Sequence, residues 1–122
     1  MLEYFPYRLA PLASQAAQRR WIVSATADSY LVPEELLEDA QDAARYAGLP
    51  NIRGSLSAGL LPALERLAEL AGRVDLGGKS NEALVERDPA WAAVREQTRV
   101  CLGVLGFDLS RWEAAEGLSE HP

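Results

Sequence analysis

Apolar residues recur at three- and four-residue intervals along most of this chain, with charged residues between them. That period is the signature of helices with one buried face. Leu12, Ala16 and Val23 fall along one stripe with Ala13 and Ala17 beside it, which predicts a first helix from about Pro11 to Ala25 flanked by Arg19 and Arg20. Leu36, Ala40, Ala43 and Ala47, joined by Leu37 and Ala44, predict a second over 33–47. Leu60, Leu64, Leu67 and Ala71, with Leu61 and Ala68 adjacent, predict a third over about 57–71, and Trp91, Val94, Thr98, Cys101 and Leu105, with Leu102 beside them, mark a long one from Pro89 to about Leu105. No repeat, low-complexity run or strand pattern interrupts this reading, and the excess of Ala and Leu over β-branched residues agrees with it.

Local punctuation sets the boundaries. Pro33 suits the first position of a helix, and Glu34 and Glu35 suit its positive end. Gly48 and Pro50 stop that helix, and GLPNIRGS follows as a loop. Pro62 either opens the third helix or kinks it, and Gly72 ends it. RVDLGGKSN reads as the most flexible loop, with Gly77 and Gly78 at its tip. Ser80 caps a short helix through about Arg87, and Asp88-Pro89 pairs an N-cap acid with proline at the first helical position. Gly106 ends the long helix, and Asp108 caps a last turn or two carrying Leu109 and Trp112. Residues 1–8, broken by Pro6, are expected to be an extended lead-in whose Tyr4, Phe5 and Tyr7 pack on the body, and 117–122 a frayed tail. At 122 residues the expectation is one domain spanning 1–122, an all-α bundle of about five helices.

Charge changes the picture at one place. Asp28, Glu34, Glu35, Glu38, Asp39 and Asp42 lie in a stretch without Lys or Arg, and outside it 12 acids balance 12 bases. The net charge of −6 is therefore local, an acidic patch on an otherwise neutral body. Eleven of the twelve bases are Arg, which with the Ala and Leu content points to a GC-rich bacterial gene. The N-terminus lacks a basic region followed by an apolar one, no run approaches the length of a membrane span, and one cysteine cannot form an internal disulfide. A cytoplasmic protein is expected.

Catalytic parts are scarce. The single histidine, His121, stands one residue from the end, where an imidazole is not held beside a nucleophile. Cys101 lies on the apolar stripe of the long helix, so it is expected to be a buried, inert thiol. LGGK shares only its last fragment with a P-loop. Arg19-Arg20 is the one basic pair, and an acidic body repels phosphates, so no nucleic-acid partner is expected. The three tryptophans read as core, with Trp21, next to Arg19-Arg20, the one placed to serve an interface.

The acidic helix carries the functional expectation. Glu34, Glu35, Glu38, Asp39 and Asp42 share the face opposite Leu36, Ala40, Ala43 and Ala47. Glu35–Asp39 and Glu38–Asp42 are like charges four residues apart, which cost a helix a few tenths of a kcal/mol each. Asp39 and Asp42 lie too far from the N-terminus to be explained by the helix dipole. Three uses suit such a face: plain solvation, docking to a basic protein, or holding a divalent metal. The segment EELLEDAQD contains EExxE, which resembles the first half of the Mg²⁺ motif in all-α nucleotide pyrophosphohydrolases. The ExxD second half is absent, because neither Glu65 nor Glu69 is followed by Asp three residues on.

The expected function is therefore binding, not catalysis, with no cofactor and no metal: an immunity- or antitoxin-type inhibitor of a basic, nuclease-like toxin domain. Asp28, Tyr30, Glu34, Glu35, Glu38, Asp39, Asp42 and Tyr46 are its expected contact residues, with Tyr30 or Tyr46 as aromatic anchor. The alternatives are a small Mg²⁺-dependent hydrolase using the same carboxylates and an adaptor that dimerises through an apolar helix face. No membrane partner is expected.

Overall fold

The computed structural model describes residues 5–118. Among them the chain is all-α, with eight α-helices and one π turn in place of the expected five helices. Four helices form the body: α1 (Phe5–Ala13), α3 (Pro33–Ala47), α5 (Leu60–Ala71) and α7 (Pro89–Val104). They pack in the ring order α1, α3, α5, α7, with α7 closing back on α1. Leu9, Leu12, Leu36, Leu60, Leu64, Leu67, Trp91, Val94 and Leu102 fill the centre. Each buried leucine contributes about 1.5–3 kcal/mol relative to exposure. The predicted stripes of the second, third and long helices are the buried ones, and Leu102 beside the last of them is buried as well; of the stripe residues only Leu105 is half-buried. None of the helices described is long and apolar enough to cross a membrane.

The first expected helix is wrong in two ways. Residues 5–8 are helical and belong to α1, because Pro6 falls in the first turn, where a missing N–H removes no hydrogen bond. Tyr7 lies on this helix and meets the Phe107 ring edge-on at 5.4 Å, while Tyr4 falls outside the described residues. The helix then breaks at Ser14, whose backbone is extended and whose Oγ caps α2 (Gln15–Gln18) by accepting from the Ala17 N–H at 3.0 Å.

One nearby and one distant side chain satisfy the groups this break leaves open. Gln18 Nε2 donates to the carbonyls of Pro11 and Leu12 at 3.1 and 2.7 Å, and Arg99 Nε donates to that of Ala13 at 2.9 Å. The chain then widens into a π turn over Arg19–Val23, closed by the Ser24 N–H on the Arg19 carbonyl at 2.9 Å. A tight turn pairing Thr26 with Ser29 leads into α3.

Smaller corrections follow the same logic. Pro50 stops α3 as expected but also opens a one-turn helix, α4 (Pro50–Arg53), within the expected loop. Pro62 causes no kink because α5 begins two residues earlier and leaves it in the first turn. The loop before α6 (Asn81–Arg87) carries hydrogen bonds of its own. Asp75 accepts from the Gly77 N–H at 2.9 Å, and Lys79 donates to the Asp75 carbonyl while lying 3.5 Å from Asp88.

Asp88 caps α7, and Asp108 caps α8 (Leu109–Ala115), both as expected. The ends of these two helices share one device. Gly106 and Gly117 adopt left-handed φ of 71° and 74°, and the next residue's N–H returns to the carbonyl five back: Phe107 to Leu102 at 2.9 Å, Leu118 to Glu113 at 2.8 Å. An apolar residue after the glycine packs inward in this motif, which is why Leu118 is buried although 117–122 reads as a frayed tail. Residues 119–122 of that tail lie outside the described residues.

Candidate protein-binding face

The outer face of α3 follows from its register. Leu36, Ala40, Ala43 and Ala47 turn inward, so Glu34, Glu35, Glu38 and Asp42 stand exposed and Asp39 sits at the margin, half-buried. From Glu34 to Asp42 is about 12 Å along the axis, and acids four residues apart are about 6 Å apart along it. Asp28 and Tyr30 precede the helix on an exposed segment, with Tyr30 at 59% exposure. Tyr46 differs: it is half-buried and packed against the core, so of the two expected anchors Tyr30 is the exposed one.

The face divides electrostatically. Asp39 accepts from Arg8 of α1 at 2.8 Å, and Asp42 pairs with Arg45 one turn on. The two acids that the helix dipole does not explain thus have internal partners. Asp39 fastens α3 to α1, although a pair this exposed contributes only about 0–1 kcal/mol. Among the described residues, the side chains of Asp28, Glu34, Glu35 and Glu38 have no ion-pair or hydrogen-bond partner. Glu34 and Glu38 form a further like-charge pair at four-residue spacing, so the unpaired part of the face carries repulsion that no basic side chain among the described residues offsets.

The acids lie along a helix and do not converge: among the described residues, no three His, Cys, Asp or Glu side chains group as a metal site would. His121 lies outside the described residues. Cys101 is fully buried, and the loss of hydration around it pushes its thiol pKa up to about 12. The Gly77 amide is committed to Asp75 and offers no phosphate cradle. The basic pair is also spent internally. Arg19 forms a two-point ion pair with Glu86 of α6 at 2.7 and 2.8 Å, and Arg20 donates to the Gly117 carbonyl at 2.9 Å. Trp21 is half-buried and meets Trp112 edge-on at 6.3 Å, locking α8 against the π turn.

The periodicity reading missed one polar centre. Gln18 is fully buried, and its Oε1 accepts from Trp91 Nε1 and from an Arg95 Nη, both at 3.0 Å. With its two donations to α1, all four hydrogen-bonding positions of the amide are filled. Arg95 also reaches the Val85 carbonyl at 3.3 Å; burial, then the nearby Arg99, lower its pKa. A glutamine between alanines and arginines carries no mark of such a role, because the two groups that donate to its oxygen, Trp91 and Arg95, are more than seventy residues away.

No protein-family model matches this chain, and comparison with curated proteins and with solved structures found no match.

Proposed function

We propose that this protein is a protein-binding module, an immunity- or antitoxin-type inhibitor that neutralises a basic, nuclease-like toxin domain through the exposed face of α3. The observation that carries the reading is the unpaired trio Glu34, Glu35 and Glu38 on a helix whose remaining acids have partners. Carboxylates spread over about 6 Å along one helix offer a basic cleft a short line of negative charge, as phosphates do. Their concentrated field speeds encounter with a basic partner and relieves the mutual repulsion on docking. Asp28 and Tyr30 extend the face toward the preceding turn, with Tyr30 as the anchor that loses water on binding. Asp39 and Asp42 support the surface and contribute less, since Arg8 and Arg45 already neutralise them.

The test is affinity capture at low and high salt with the wild type, a variant carrying Glu34→Lys, Glu35→Lys and Glu38→Lys, and a control carrying Asp42→Asn. The expected result is a basic protein held by wild type and control, lost with the triple variant and released by salt. Its purified toxic domain should lose nuclease activity when wild type is added. Equal capture by all three baits, or undiminished nuclease activity, would make α3 a solvated face and overturn the reading.

A further inference from the structure

The last turn of α7 holds a glycine that the fold does not require. Gly103 has no left-handed φ, and a Cβ built on it meets no atom within 4 Å. Glycine in a helix is destabilising relative to alanine, so neither backbone conformation nor close packing accounts for it. It is exposed and lines a groove of about 290 Å³ between α7 and the start of α8. Leu102, Phe107 and Leu109 provide the apolar wall, and Arg99, Asp108 and Ser110 the polar lining.

Arg99, Asp108 and Ser110 stand at the groove's exposed rim, and each of the two charges is positioned by one hydrogen bond. Arg99 uses Nε on the Ala13 carbonyl at 2.9 Å, leaving its two Nη groups. Asp108 uses Oδ1 on the Arg111 N–H at 3.0 Å, leaving Oδ2. Among the described residues neither has an ion-pair partner, so an unpaired cation and an unpaired anion line one small, half-apolar space. A simple anion would meet Asp108 there, and a simple cation would meet Arg99. A ligand that carries both charges satisfies both groups.

We propose that the α7–α8 groove binds a small zwitterion, an α-amino acid with an apolar side chain. Its carboxylate lies on Arg99 with help from the Ser110 hydroxyl, its ammonium on Asp108, and its side chain against Leu102, Phe107 and Leu109. The groove volume is at the small end for ligand sites, as an amino acid requires. The site shares no residue with the outer face of α3 and stands or falls separately from it.

The test is an NMR titration of the full chain with L-leucine to about 10 mM, beside 4-methylpentanoate, which lacks the amine, and 3-methylbutylamine, which lacks the carboxylate. Saturable shifts centred on Gly103 and Ser110 are expected with leucine, and each single-charge analogue should bind at least about tenfold more weakly. Gly103→Leu fills open space, so the variant should fold and lose the leucine response. The proposal is overturned if leucine gives no saturable shift, if either analogue binds equally well, or if folded Gly103→Leu still binds.

Discussion

Replacing Gln18 with leucine tests whether the buried amide, rather than the apolar core alone, joins α1, α2 and α7. The side chain is fully buried and bonded at every position. Leucine keeps roughly the volume and removes all of those bonds. The Trp91 N–H and the Leu12 carbonyl then lose their Gln18 partner in places where both hydrogen bonds are buried. An orphaned buried polar group costs about 1–3 kcal/mol, so the pair predicts a loss of about 2–6 kcal/mol. Arg95 retains the Val85 carbonyl and adds less. For a domain of this size, with a urea m-value of about 2 kcal/mol/M, the unfolding midpoint should fall by roughly 1–3 M. Far-UV circular dichroism in urea measures it. The companion variant Trp91→Phe removes the indole donor, so the double variant should be less destabilised than the sum of the singles by about 1–2 kcal/mol. A Gln18→Leu loss below about 1 kcal/mol, or strict additivity with Trp91→Phe, would refute the claim that this amide holds the helices together.

The remaining predictions rest on single groups. Ser14→Ala removes both the cap on α2 and the hydroxyl donated to Glu113 at 2.5 Å, and should cost about 1–3 kcal/mol by urea melting. Cys101, with its thiol pKa near 12, should resist a thiol-specific disulfide reagent at pH 8 in the native protein and react at once in denaturant. Glu86 has its pKa lowered by the hydrogen bond from Arg19. Its contribution is therefore present above the unfolded glutamate value and is lost as pH falls through the lower folded value. Glu86→Gln should flatten that part of the acid limb of a pH–Tm profile, and an unchanged limb would dismiss the pair's role. Gly106→Ala should cost about 1 kcal/mol, because alanine is strained at φ 71°, whereas Gly103→Ala should be neutral or slightly stabilising.

The candidate face was half legible in the chain. The 3.6-residue repeat placed the five acids of α3 outward, and their excess over nearby bases was visible in the order of residues. Which of them are free was not. Arg8 lies 31 positions from Asp39 and reaches it only because α1 packs beside α3. Tyr46 looked equivalent to Tyr30 until packing drew it toward the core. The groove was invisible for the same reason: Asp108 read as a cap, and only the fold sets the start of α8 beside the last turn of α7.

Local physics determined what the sequence alone could determine. Pro33, Ser80, Asp88-Pro89 and Asp108 begin their helices, and Gly48, Gly72 and Gly106 mark where helices stop, because capping and φ restriction act within a few residues of the atoms involved. The same range of action makes the helical period and the all-α class readable. Tertiary structure decided what depends on atoms far apart in the chain. The break at Ser14 is held by Glu113, 99 positions on, and by Arg99 reaching the Ala13 carbonyl across 86. A hydrogen bond has a reach of about 3 Å, so whether a polar side chain is a solvent-facing ornament or a buried tie is settled only when the fold brings its partner within that distance.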